Sequence, residues 1–222
     1  MTQLMKKVEK RAPVLDPLAR VSELIFGLLM ALSFTGALSV ATAGREDVRT
    51  MMYAAIGCNL AWGLVDGVMY LMATLSTRAR NVTLMTKVRR AADPSEAHEH
   101  IADAMPGRLG SALGAAGLEE LRLRILALVN PPARPYLTKD DLLGAVGVFF
   151  VIVAITFPVV VPFMVIQDAQ LALRVSNAIA LIVLYFAGVY LAGYAGFVKW
   201  RAGLVVASFG AALVLAIVAL GG

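Results

Sequence analysis

Cysteine is almost missing from this chain, and histidine nearly so. Cys58 is the only cysteine among 222 residues. That excludes an intrachain disulfide and any two-cysteine metal site within one chain; inside an apolar run, Cys58 reads as a packing residue. The two histidines, His98 and His100, fall within three residues of each other, outside every apolar run. No serine–histidine pair can therefore form inside such a run. HExxH, Walker, GxSxG and kinase signatures are also missing, so the sequence gives no reason to expect an enzyme. Charge is scarce, with Asp, Glu, Lys and Arg making up 16% of the chain and aromatic residues 8%.

What remains is apolar. Hydrophobic residues make up 59% and mean hydropathy is +0.78, against about 45–50% apolar residues in ordinary soluble domains. Five runs, at 21–43, 51–75, 142–166, 171–196 and 203–220, approach or exceed the roughly 20 residues of a membrane crossing. Lipid leaves exposed backbone groups unsatisfied, and no ten-residue alternation suggests a barrel, so each run is expected to be helical. The expected architecture is an all-α membrane protein: an N-terminal segment 1–20, helices 1 and 2 over 21–75, a small helical insert 76–141, and helices 3–5 over 142–222. The basic N-terminus followed by an apolar run and Ala41-Thr42-Ala43 imitates a secretory signal. The run is too long for one and carries Glu23, so it reads as a retained span.

The net charge of +5 and pI near 9.6 would suggest nucleic acid in a soluble chain. Here the basic residues flank apolar runs, which indicates lipid headgroups and orientation instead. The N-terminal segment (Lys6, Lys7, Lys10, Arg11, Arg20), the insert and the last connection (Lys199, Arg201) hold 17 of the 20 Lys and Arg residues. By the positive-inside rule the N-terminus and insert are cytoplasmic and the C-terminus lies outside, with a bacterial inner membrane the expected location.

Two carboxylates interrupt the apolar runs. Glu23 lies near the start of the first and Asp66 near the middle of the second. Each costs roughly 2.5 kcal/mol or more in a membrane and so marks a site, or else a satisfied structural pair. Met30 is seven residues from Glu23. Asn59 is seven from Asp66, with Gly63 between and Met69 and Tyr70 following. Carboxylate, amide oxygen and thioether are the ligands expected for Fe(II) or Mn(II), although methionine also fills gaps and asparagine also joins helices. The same acids could carry protons. Pro158 and Pro162 lie four apart in the third run and are expected to kink it. In the insert, Glu96, His100 and Asp103 recur on one helix face, with His98 and Glu99 beside them. This set could bind Fe(II), Mn(II) or Zn(II), or be a solvated charged face. Asp93-Pro94-Ser95-Glu96 reads as a helix start. Leu118, Leu121, Ile125 and Leu128 form an amphipathic stripe, and Arg78 to Arg90 can prolong the second helix beyond the apolar run.

Ser22-Glu23 followed by Leu28 to Phe34, the run Asn59-Leu60-Ala61-Trp62-Gly63-Leu64-Val65-Asp66-Gly67, and Pro158 to Phe163 together resemble the vacuolar iron transporter family, in a divergent bacterial-type form. The order of five spans around a cytoplasmic insert is similar too. The resemblance implies a proton-coupled transporter of Fe(II) or Mn(II). It would hold no permanent cofactor and would work as a homodimer with its path at the interface. It implies that Glu23 stands for the first-span aspartate and that Met69 or Gly67 lies near the second-span methionine. Asn59 occupies the place of a second-span glutamate, and the insert has few glutamates: Glu96, Glu99, Glu119 and Glu120. A passive cation channel and a non-transporting membrane protein that docks lipid or a partner through its insert are the alternatives.

Overall fold

A computed structural model describes residues 17–36, 45–105 and 109–220. Among the described residues the chain is all-helical, with seven helices: α1 (Pro17–Gly36), α2 (Arg45–Arg90), α3 (Pro94–Asp103), α4 (Leu109–Leu126), α5 (Lys139–Val165), α6 (Ala169–Ala195) and α7 (Lys199–Ala219). Four of them, α2, α5, α6 and α7, are long and apolar enough to cross a membrane, as in an integral membrane protein. The first apolar run forms α1, whose apolar stretch is the shorter Val21–Ser33. The end of that run at 37–43 lies outside the described residues, as do Lys6, Lys7, Lys10, Arg11 and Ala41-Thr42-Ala43.

The chain divides into two compact units, Met1–Tyr70 with Asp140–Gly222, and Leu71–Lys139. The 46 residues of α2 contribute to both units.

In the first unit, α1, α6 and α7 pack on one another. Leu28, Ala31 and Leu32 of α1 meet Val159 of α5 and Ala180 and Leu184 of α6 in one core. A second core joins Met51 and Ala55 of α2, Val160 and Phe163 of α5, and Ala172 of α6. Along α6 the buried residues recur every fourth position: Ala172, Ser176, Ala180, Leu184, Gly188 and Ala192. Most are small, and small side chains let helix backbones approach. A Cβ on Gly188 would stand 2.7 Å from the Ala202 carbonyl oxygen of α7. Asp168 caps the start of α6 by accepting the Leu171 N–H at 2.7 Å, and Gly196 ends it in the left-handed conformation.

The helix α5 runs unbroken through Pro158 and Pro162. Pro162 lacks the N–H that would bond the Pro158 carbonyl. On the adjoining residue, the Ser176 hydroxyl of α6 donates to the Val159 carbonyl at 2.6 Å. A neighbouring helix thus supplies a donor where the proline disturbs the ladder.

In the second unit, the predicted helix start is borne out. Asp93 accepts the Glu96 N–H at 2.9 Å and the Glu96 carboxylate accepts the Ala92 N–H at 2.7 Å, with Pro94 in the first turn. This is a reciprocal cap. Val88, Ala97 and Ile101 form the core, covered by Leu118, Leu121 and Ile125 among others. Leu128 drops out of the expected stripe and is exposed, because α4 ends at Leu126 and Asn130 takes a positive φ of 54°. The Arg89 guanidinium closes that end by donating to the carbonyls of Ile125 at 3.3 Å and Leu128 at 2.5 Å. Within α4, Gly114 has φ 61° and ψ 177°, a region open essentially to glycine alone.

The glycine contacts separate two otherwise similar substitutions. Gly188→Val drives a branched side chain into α7 backbone and is expected to destabilise the protein by about 1–3 kcal/mol. Gly193, on the same helix, has no atom within 4 Å of an added Cβ. Gly193→Ala is expected to be neutral or stabilising by up to about 1 kcal/mol. Thermal unfolding of the detergent-solubilised variants, followed by circular dichroism, checks both directions.

Candidate functional site

The sequence-predicted residues of α2 fall on one buried stripe. Ala55, Asn59, Gly63, Asp66, Gly67 and Tyr70 are all buried, and Asp66 is 1% exposed. The glycines explain how the helix closes on its neighbour. A Cβ on Gly63 would stand 3.3 Å from the Phe149 carbonyl oxygen, and one on Gly67 3.1 Å from that of Ala145. Two glycines four apart therefore seat α2 on the backbone of α5, with Asp66 between them. One turn further, the Tyr70 ring packs against Gly144 of α5.

Near Asn59 the interior is polar but narrow. Asn59 and Thr156 line a pocket of about 20 Å³ together with Ile56, Leu60, Val153, Phe157 and Val160, space of the order needed for a single water. Thr156 is held by its hydroxyl, which donates to the Ile152 carbonyl at 2.8 Å. Trp62 lies along Gly27 of α1, 3.3 Å from where a Cβ would be, and Thr156 lines the same spot at 3.6 Å. The Trp62 ring also stacks at a tilt on Phe26, with centroids 4.8 Å apart. Its indole N–H is buried with no hydrogen-bond partner among the described residues. Three helices thus meet at Gly27, Trp62 and Thr156.

The other expected residues are placed differently. Glu23 and Met30 are both half-buried on α1. The Met30 sulfur lies 3.9 Å from Cys58 Sγ of α2, so Cys58 joins α1 to α2. Met69 is 48% exposed and does not share the face of Asn59 and Asp66. The residues that sequence reasoning passed over are polar groups hidden in apolar context. Asp141, at the start of α5, is 1% exposed; it reads in sequence as the last residue of the insert. Thr35, Thr156 and Ser176 are also buried. Thr35 and Thr156 bond carbonyls of their own helix and Ser176 one of α5.

In the second unit the expected metal-binding set divides. The His98 ring pairs with Glu119 of α4 at 2.7 Å. Glu119 is also gripped by Arg122, whose Nε and a terminal nitrogen each donate to it at 2.8 Å. Glu96 serves as the cap described above, with His100 at 3.9 Å. Glu99 is exposed, and Asp103 lines a separate groove with His100. Among the described residues, no three of His, Cys, Asp and Glu converge as a metal site.

The Arg122 hydrogen bonds, followed by the one from His98, lower the Glu119 pKa from 4.5 to about 2. A carboxylate depressed on folding stabilises the fold above its unfolded pKa, and that contribution is lost as pH falls towards the folded value. The second unit is therefore expected to loosen between about pH 4.5 and 2, and Arg122→Gln to flatten that dependence. Hydrogen exchange of α3 and α4 amides across this range checks it; an unchanged profile in the variant would contradict it.

No family model matches the chain, and a search of curated proteins finds no significant match.

Proposed function

We propose that the chain is a transporter of divalent transition metal, Fe(II) or Mn(II), and a divergent relative of the vacuolar iron transporters. In this reading it exports metal from the cytoplasm in exchange for protons. It works as a homodimer in a bacterial inner membrane, with five crossings, the N-terminus and the insert inside and the C-terminus outside. The carrying observation is Asp66: a carboxylate 1% exposed, in the middle of an apolar helix, on the same stripe as Asn59. A buried acid in such a helix carries a large desolvation cost, and a cation or a proton offsets it.

Glu23 is the cytoplasmic entry ligand and Asp66 the midplane ligand or proton carrier. Met30, Asn59 and Met69 complete the set, with oxygen and soft sulfur favouring Fe(II) and Mn(II) over Mg(II). The outward exposure of Met69, less than a turn from Asp66, fits a path shared with a second copy. A second reading, in which the protein transports nothing and docks lipid or a partner, rests on the basic residues of the second unit, among them Arg78, Arg80, Lys87, Arg89 and Arg90.

Flux of Mn(II) and Fe(II) into proteoliposomes, with internal pH recorded, separates the readings. Wild type is expected to take up metal with opposed proton movement. Asp66→Asn and Glu23→Gln are each expected to reduce it by roughly tenfold or more, the scale of losing one charged ligand. Metal flux without proton movement would identify a passive channel. No flux from protein shown to be folded would overturn transport altogether.

A further inference from the structure

The second unit contains an open groove of about 620 Å³ between the end of α2 and α3. One wall is Arg80, Asn81, Thr83 and Lys87; the other is His100 and Asp103. Arg80, Thr83 and Lys87 lie at i, i+3 and i+7 and so share a helix face. Among the described residues, four of the unit's other cations are committed to its own structure, and Arg90, Arg134 and Lys139, which are not, lie outside the groove. Arg89 closes α4, Arg122 grips Glu119, Arg124 pairs with Glu120, and Arg78 donates to the Tyr136 carbonyl. Arg80 and Lys87 make no ion pair or hydrogen bond among the described residues, although both line a cavity.

Two uncommitted cations seven residues apart, with a hydroxyl and an amide between them, match the charge and the several oxygens of a phosphate group. The volume lies within the roughly 300–1,000 Å³ of small-molecule pockets, far more than a bare phosphate fills. Asp103 on the far wall repels a second anionic group but accepts hydrogen bonds from hydroxyls. We infer that this groove binds a phosphate ester bearing free hydroxyl groups, with Arg80 and Lys87 on the phosphate and Asp103 on the polyol. The ester has two sources, a glycerophospholipid headgroup and a soluble polyol phosphate. Arg80 follows Leu75, the end of the apolar run, by five residues along the same helix. That is about 7–8 Å, within the polar headgroup layer that flanks the hydrocarbon core. The inference does not depend on metal transport.

Calorimetric titration of the full chain in a neutral detergent tests it with four probes: short-chain phosphatidylglycerol, glycerol 3-phosphate, inorganic phosphate and short-chain phosphatidylcholine. Saturable binding of phosphatidylglycerol or glycerol 3-phosphate is expected. It should weaken roughly tenfold in Arg80→Gln and in Lys87→Gln and be unchanged in Arg90→Gln, a nearby exposed cation outside the groove. Arg80→Lys and Lys87→Arg keep the charge and should each retain more affinity than the matching glutamine variant, which guards against a loss caused by misfolding. Binding of the lipid alone assigns the groove to a headgroup, and binding of glycerol 3-phosphate as well assigns it to a soluble ester. Equal loss in all three glutamine variants, equal binding of phosphatidylcholine, binding of inorganic phosphate alone, or no saturable binding would each overturn the inference.

Discussion

Helices surrounded by apolar material gain little from choosing one apolar neighbour over another, so close packing decides which faces meet. In the first unit that packing depends on places where a side chain is reduced to hydrogen. Gly63 and Gly67 seat α2 on the carbonyls of Phe149 and Ala145, and Gly188 seats α6 on the backbone of α7. The burial of Asp66 follows from the first of these approaches. An aspartate between two glycines, on the face that closes against α5, cannot turn outward without carrying the helix face with it. The feature that stabilises the α2–α5 contact therefore also places a carboxylate in the interior.

That stripe was legible in the sequence because its spacing is helical. Asn59, Gly63, Asp66 and Tyr70 advance by three or four residues at each step and stay within a narrow sector. Met69 is three residues past Asp66, about 60° around the helix, and that is enough to leave it on the exposed side. Asp141 was hidden for a different reason. It stands beside Asp140 and Lys139, so composition assigns it to the polar insert, whereas the start of α5 at Lys139 places it inside the first turn. Thr35 and Thr156 escape notice in any hydropathy reading because their hydroxyls bond to carbonyls within their own helix. A polar group satisfied locally leaves no pattern along the chain.

The second unit makes the same distinction. Its helix start at Asp93 is local chemistry, written in four consecutive residues, and it was readable. The pairing of His98 with Glu119 joins positions 21 residues apart on two helices. Nothing in the stretch from Glu96 to Asp103 announces it. The regular spacing of Glu96, His100 and Asp103 suggests one face with one purpose, but tertiary structure assigns these residues to different tasks. Glu96 closes a helix end, and His100 and Asp103 border a groove. Periodicity identifies which residues share a face, and only the packing partners decide what that face does.

The chain's two tryptophans sit in contrasting surroundings. Trp62 is wedged against Gly27 with its indole N–H buried, whereas Trp200 is 55% exposed at the start of α7 with Arg201 over its ring. The protein therefore carries two indole fluorophores in different surroundings. One responds to the junction of α1, α2 and α5 a single turn from Asp66, the other to the surface where the last helix begins. Light emission alone can thus follow the interior beside that carboxylate without any attached label.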